Sequence, residues 1–131
     1  MYSDTGGFAF RNSGVMLHWN GTSLDSIGVG VSNPGAAWAA NSQNAWVAHY
    51  SGSIGYWNGA SLTSQSLGGP AAIGVGGSTA NDVWAVGFTG GISHYDGTSW
   101  TQSASSGVVT TNLLWSVYAH DTAFAVAVGQ G

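Results

Sequence analysis

Cysteine, lysine and glutamate are absent, and Arg11 is the one basic residue besides histidine in 131 residues. Without cysteine there are no disulfides and no thiolate metal or redox chemistry. A nucleic-acid binder neutralises phosphates with Lys and Arg, and a polybasic membrane anchor draws on the same residues. A single Arg supplies neither, so neither nucleic acid nor a membrane surface is an expected partner. No apolar run reaches the ~18 residues of a bilayer-spanning helix. Charged residues make up 5% of the chain, against roughly 25% in ordinary soluble domains. The start, Met1-Tyr2-Ser3-Asp4-Thr5, has neither the basic nor the apolar region of a signal peptide, although the near-neutral, Ser/Thr/Asn/Gly-rich composition suits an extracellular setting.

What is present points to β-structure. Gly contributes 22 residues and Trp seven, and 44% of the chain is hydrophobic, too apolar for a disordered segment. No helical 3.6-residue pattern with caps occurs. The chain repeats instead. His18-Trp19-Asn20-Gly21-Thr22-Ser23-Leu24 returns as Tyr56-Trp57-Asn58-Gly59-Ala60-Ser61-Leu62 and as His94-Tyr95-Asp96-Gly97-Thr98-Ser99-Trp100, each time after 38 residues. Trp46-Val47-Ala48 matches Trp84-Ala85-Val86 at the same step, and Phe8-Ala9-Phe10 lies 38 before Trp46. Phe124-Ala125-Val126 follows Trp84 by 40, which places two extra residues in 108–113.

Each repeat reads as short strands: a buried aromatic strand, a Gly-rich link, a second strand, and an Asn-Gly or Asp-Gly pair. That pair signals a type I′ hairpin turn with two φ > 0 residues. A fourth strand begins at Leu24, Leu62 or Trp100, and another precedes the aromatic strand around Trp38 or Trp115. Four antiparallel strands per unit of about 40 residues is the arithmetic of a β-propeller blade. The expected fold is therefore all-β, with about 3.5 four-stranded blades. Residues 1–131 form one partial propeller domain, with repeats near 8–35, 36–72, 73–113 and a partial 114–131.

Asn81-Asp82-Val83-Trp84-Ala85-Val86-Gly87, followed by Gly91-Ile92-Ser93-His94-Tyr95-Asp96-Gly97-Thr98-Ser99-Trp100, resembles the repeat of bacterial secreted tandem-repeat β-propellers, the broad BNR/WD40-YVTN-like group with DVWAVG…HYDGTSW blades. The resemblance covers nearly the whole chain. It implies the propeller fold and a secreted bacterial setting, and little about role, because such propellers serve many functions. Asp96 and Gly97 are adjacent, unlike the spaced pair of the sialidase Asp-box, and the Gly-His…Trp-Asp signature of WD40 repeats is missing.

Dividing the length by the step gives about 3.4 repeats, whereas closed propellers have roughly four to eight blades. An open stack leaves apolar faces and strand edges exposed. The expectation is a homodimer closing a ring of about seven blades, with segment 1–13 displaced because its strand would be duplicated at each junction. A closed ring of more than two chains is the fallback, and a fragment of a longer propeller the alternative.

Charge chemistry is scarce. Glycosidases use two carboxylates, and the chain offers Asp4, Asp25, Asp82, Asp96 and Asp121. Asp82 and Asp96 stand where Asn44 and Asn58 stand in the sister repeat, which marks them as turn residues. One Arg cannot build a sialidase site, and no Gly-x-Ser-x-Gly elbow is present. No enzyme activity, catalytic residue or cofactor is expected. His18 and His94 share a repeat position and so lie a blade or more apart. His49 and His120 are isolated, and no metal site is expected.

Phe8, Trp46, Trp84 and Phe124 are assigned to core stacking, and Trp38 and Trp115 to the central channel. Trp19, Trp57 and Tyr95 form one row and His18, Tyr56 and His94 the other, on opposite faces of a strand. Both rows precede Asn20, Asn58 and Asp96. Such rings either pack blade on blade or stack on a sugar whose hydroxyls bond the neighbouring Asn or Asp. Asn20-Gly21-Thr22 matches a glycosylation sequon and is read as a turn. The expected function is a non-enzymatic, lectin-like module with repeated carbohydrate sites that gain avidity from multiplicity. The alternative is a structural or protein-interaction propeller fragment, natural or engineered, without a small-molecule ligand.

Overall fold

The computed structural model describes residues 7–11, 14–28 and 33–131; the side chains of Phe8, Phe10 and Arg11 lie outside it. Expectations resting on 1–6, on displacement of 1–13 or on the Phe8 ring therefore fall wholly or partly outside the described residues. Among the described residues, short apolar segments broken by Gly, Asn and Asp give thirteen strands. They are β1 (Gly7–Arg11), β2 (Val15–Trp19), β3 (Leu24–Gly28), β4 (Pro34–Asn41), β5 (Asn44–His49), β6 (Ser53–Trp57), β7 (Leu62–Ser66), β8 (Ala72–Thr79), β9 (Asp82–Gly87), β10 (Ile92–Tyr95), β11 (Trp100–Gln102), β12 (Leu114–Asp121) and β13 (Phe124–Gly129). They form four antiparallel sheets ordered β1-β2-β3, β4-β5-β6-β7, β8-β9-β10-β11 and β12-β13. The two complete sheets are four-stranded blades. The first sheet holds the outer three strands of a blade and the last holds the inner two.

The pairing register corrects the motif alignment. Trp38 pairs with Trp46, and Gly76 pairs with Trp84, a step of 38. The next step is 42, because Tyr118 pairs with Val126 and Val117 with Ala127, where Val75 pairs with Ala85. Val126, not Phe124, is thus the counterpart of Trp84, and Tyr118, not Trp115, is the counterpart of Trp38. Four extra residues lie between β11 and β12, not two. Glycine sets this register. A Cβ on Gly87 would sit 2.7 Å from the Ala72 Cα, and one on Gly129 would sit 2.8 Å from the Leu114 Cα, so only glycine closes either sheet end. Phe124 falls at the register of Asp82 and is 57% exposed, so it is no core ring.

The turns are corrected as well. Asn20, Asn58 and Asp96 have negative φ, and a positive φ occurs at Gly21, Gly59 and Gly97. The strands end at Trp57 and Leu62, leaving a four-residue loop rather than a two-residue type I′ turn. Asn58 Oδ1 accepts the Ala60 and Ser61 N–H groups, each at 2.9 Å, and the Asn58 N–H donates to the Ser61 carbonyl. Asn20 does the same with Thr22 and Ser23, and Asp96 with Thr98 and Ser99. The side chain stands in for a backbone acceptor, which is why only Asn or Asp recurs here.

Blades stack face to face. Trp46, Ala48 and Ile54 of the second sheet pack with Ala72, Val75, Val83 and Ala85 of the third. Met16 of the first sheet packs with Ala45 and Trp57 of the second. Val86 of the third meets Leu114 and Val117 of the last. The innermost strands β4, β8 and β12 approach closely through glycine. A Cβ on Gly35 would lie 2.6 Å from the Ile73 carbonyl oxygen, and one on Gly74 would lie 2.7 Å from that of Trp115.

Candidate functional site

The two predicted aromatic rows lie mostly between blades. Trp57 is 3% exposed, and its Nε1 donates to the Ser42 carbonyl at 3.0 Å. Its ring meets His18 of the preceding blade, with centroids 5.7 Å apart. Tyr95 is half-buried against Trp46 and Trp100. Burial raises the Tyr95 phenol above its usual pKa, with Tyr56 and Asp96 adding to the effect. Tyr56 donates to Asn44 Oδ1 at 2.6 Å and tilts over Trp46. His94 stacks on Trp84 with centroids 4.2 Å apart.

Trp19 is the ring of its row left open, at 39% exposure. Beside it, Asn20 Nδ2 donates to Ser23 Oγ and to Asp25 Oδ2. The sister turns Asn58 and Asp96 are exposed, but their acceptor oxygens are engaged by loop N–H groups. The Ser99 and Thr98 N–H groups hold the Asp96 carboxyl below its usual pKa.

Asp82 is buried and joins two side chains. It accepts from Ser78 Oγ on one oxygen, and its other lies 2.8 Å from His94 Nε2. A hydrolytic triad places His between Ser and Asp so that it can take the nucleophile's proton. Here Asp82 sits in the middle, and Ser78 bonds the carboxylate rather than the imidazole. The arrangement pins the His94 ring over Trp84, as Asn44 pins Tyr56 over Trp46. Among the described residues, no group of three His or carboxylate side chains is placed to hold a metal. No described helix is long and apolar enough to cross a membrane.

The C-terminal ends of β4, β8 and β12 form a groove of about 600 Å³ that motif reading did not single out. Ala39, Ala40, Gly77 and Ala80 keep it open, and Trp38, Tyr118 and His120 wall it. A Cβ on Gly77 would lie 2.9 Å from the Trp38 ring, so glycine lets that ring lie across the neighbouring strand. Tyr118 is 64% exposed, and Thr79 lies exposed at the edge. Among the described residues, neither a carboxylate nor Arg lines the groove. Its sequence signal is the small-residue run Gly74-Val75-Gly76-Gly77, legible only once the 42-residue step aligns Tyr118 with Trp38.

Four-stranded antiparallel blades stacked about close-set inner strands define a β-propeller. Solved structures agree. The chain is similar to the structure titled "YCF48 bound to D1 peptide", with a TM-score of 0.70 at 15% identity, over 91% of this chain and 42% of that one. It is likewise similar to YCF48 from Cyanidioschyzon merolae, with a TM-score of 0.67 at 14% identity, over 90% of this chain and 42% of that one. The chain thus spans about two fifths of the length of either structure. No family model and no curated protein matches the sequence.

Proposed function

We propose that this chain is a non-enzymatic protein-interaction module whose propeller blades present a peptide-binding groove at the C-terminal ends of β4, β8 and β12. The observation that carries this reading is the likeness in fold to YCF48, a structure of which holds a D1 peptide. The groove supports it. Small floor residues, aromatic walls and absent charge suit the side chains and amides of an extended segment better than a phosphate or sugar acid. An extracellular setting accompanies the proposal on composition alone.

The test is to select displayed peptides on the folded chain and measure their affinity for two groove variants. Thr79→Arg fills the groove edge and His120→Ala strips one wall, and each should weaken binding about tenfold, or ~1.4 kcal/mol. Selected peptides that bind both variants at full strength would discard the groove. The lectin-like reading keeps one specific support, the open Trp19 ring beside Asn20 and Asp25. A glycan-array signal abolished by Trp19→Ala would favour it over the peptide.

A further inference from the structure

Two sheet faces that are covered at every internal junction stand open at the two ends of the stack. In the second and third blades, the face carrying Trp46 or Val86 is covered by the following blade. In the last sheet the same face carries Tyr118, Val126 and Val128, which are 64%, 43% and 57% exposed. The opposite face of each later blade, carrying Trp57 and Leu62 or Tyr95 and Trp100, is covered by the blade before it. In the first sheet its counterparts are Trp19 and Leu24, 39% and 58% exposed. The strand edges match too. β13 lacks the third-strand partner that β5 and β9 have in β6 and β10. Beside it, between the last sheet and the third blade, lies a cavity of about 430 Å³ lined in part by Trp84, Ile92, Ser103 and Ala127. That is where a third and fourth strand of the last blade would pack.

We infer that the half-blade β12-β13 receives the β2-β3 hairpin of a second copy of this chain, and that two copies close one ring head to tail. The hairpin brings Trp19 to the place that Tyr95 holds in the third blade, and Leu24 to the place of Trp100, so both enter the cavity. The described strands make three four-stranded blades with one second-position strand over, β1 or β13, which gives way at the junction. The described strands of two copies make up six blades, within the range of roughly four to eight for closed propellers. The junction is heterologous but closes by rotation, and among the described residues Asp121 is the one charged residue lining the cavity. The inference does not depend on the peptide groove.

Light scattering on a sizing column should give a mass near twice the 13.3 kDa of the chain. Val126→Asp and Leu24→Asp each put a charge into the junction and should weaken association by about 100-fold. Both residues are exposed in the single chain, so circular dichroism should show each variant folded. Mixing the two variants should restore a dimer, because the unaltered half-blade of one meets the unaltered hairpin of the other. A monomeric or trimeric wild-type chain overturns the inference. So does a dimer that survives either substitution, or variants that fail to pair when mixed.

Discussion

At the residue scale, the aromatic rows show how one side chain reads differently on paper and in place. Trp57 carries a ring and a polar handle beside Asn58, a combination equally suited to a sugar site. The fold turns that ring into the junction between the first two blades and uses its Nε1 to tie down the Ser42 turn. Trp57→Ala should therefore cost roughly 3–5 kcal/mol, the range for emptying a buried aromatic site, measured by urea unfolding. A loss under ~1 kcal/mol would return the ring to the surface. His49 is a second case. It is 5% exposed, with Ser51 Oγ 2.8 Å from its Nδ1. Burial lowers its pKa from the ordinary 6.5, since the interior disfavours imidazolium. The folded state thus binds its proton less readily than the unfolded chain. Its contribution to stability is whole above pH 6.5 and falls as pH drops below that value. Urea midpoints measured down through that range should decline for the native chain and decline less for His49→Gln.

At the element scale, strands and blade grouping were legible because Gly, Asn and Asp punctuate them at a fixed step. Register was less so. Phe124-Ala125-Val126 copies the look of Trp84-Ala85-Val86, yet alignment at 40 or 42 keeps the same alternation of faces, since both are even. A motif therefore finds the face of a strand without finding its partner, and backbone crowding at Gly87 and Gly129 decides the pairing. The groove was hidden for the same reason, since Trp38 and Tyr118 become counterparts only in the true register. The loops were half legible. Asn-Gly announced a hairpin, but the Asn side chain takes two loop N–H groups and leaves the positive φ to Gly59 alone, at 93°. Gly59→Ala should cost about 1–2 kcal/mol, from the backbone strain of an L-residue there and from pressing on Gln43 Cγ, 3.0 Å from the added carbon. Thermal denaturation checks this, with Ala60→Gly as the control that leaves the turn unstrained.

At the scale of the whole molecule, the chain is a stack of near-identical apolar sheets with almost no charge to orient or separate copies. Its net charge is −4 with histidine neutral and its isoelectric point lies near 5.1, so acidification toward that value brings it close to neutrality. Open faces and vanishing charge then act together, and association should be least restrained there. The three rim loops carry a further consequence, in the chemical ageing of the chain. Asparagine before glycine is prone to deamidation, one reason heat-stable proteins avoid thermolabile Asn. Two of the loops carry that pair, and the third already carries Asp96 with the same loop bonds, so conversion at Asn58 leaves a loop the fold accepts. Conversion at Asn20 does not, because its amide donates to Ser23 and Asp25, and the product would set two carboxylates side by side. Time would thus wear the molecule unevenly, at the loop next to the open face of its first sheet.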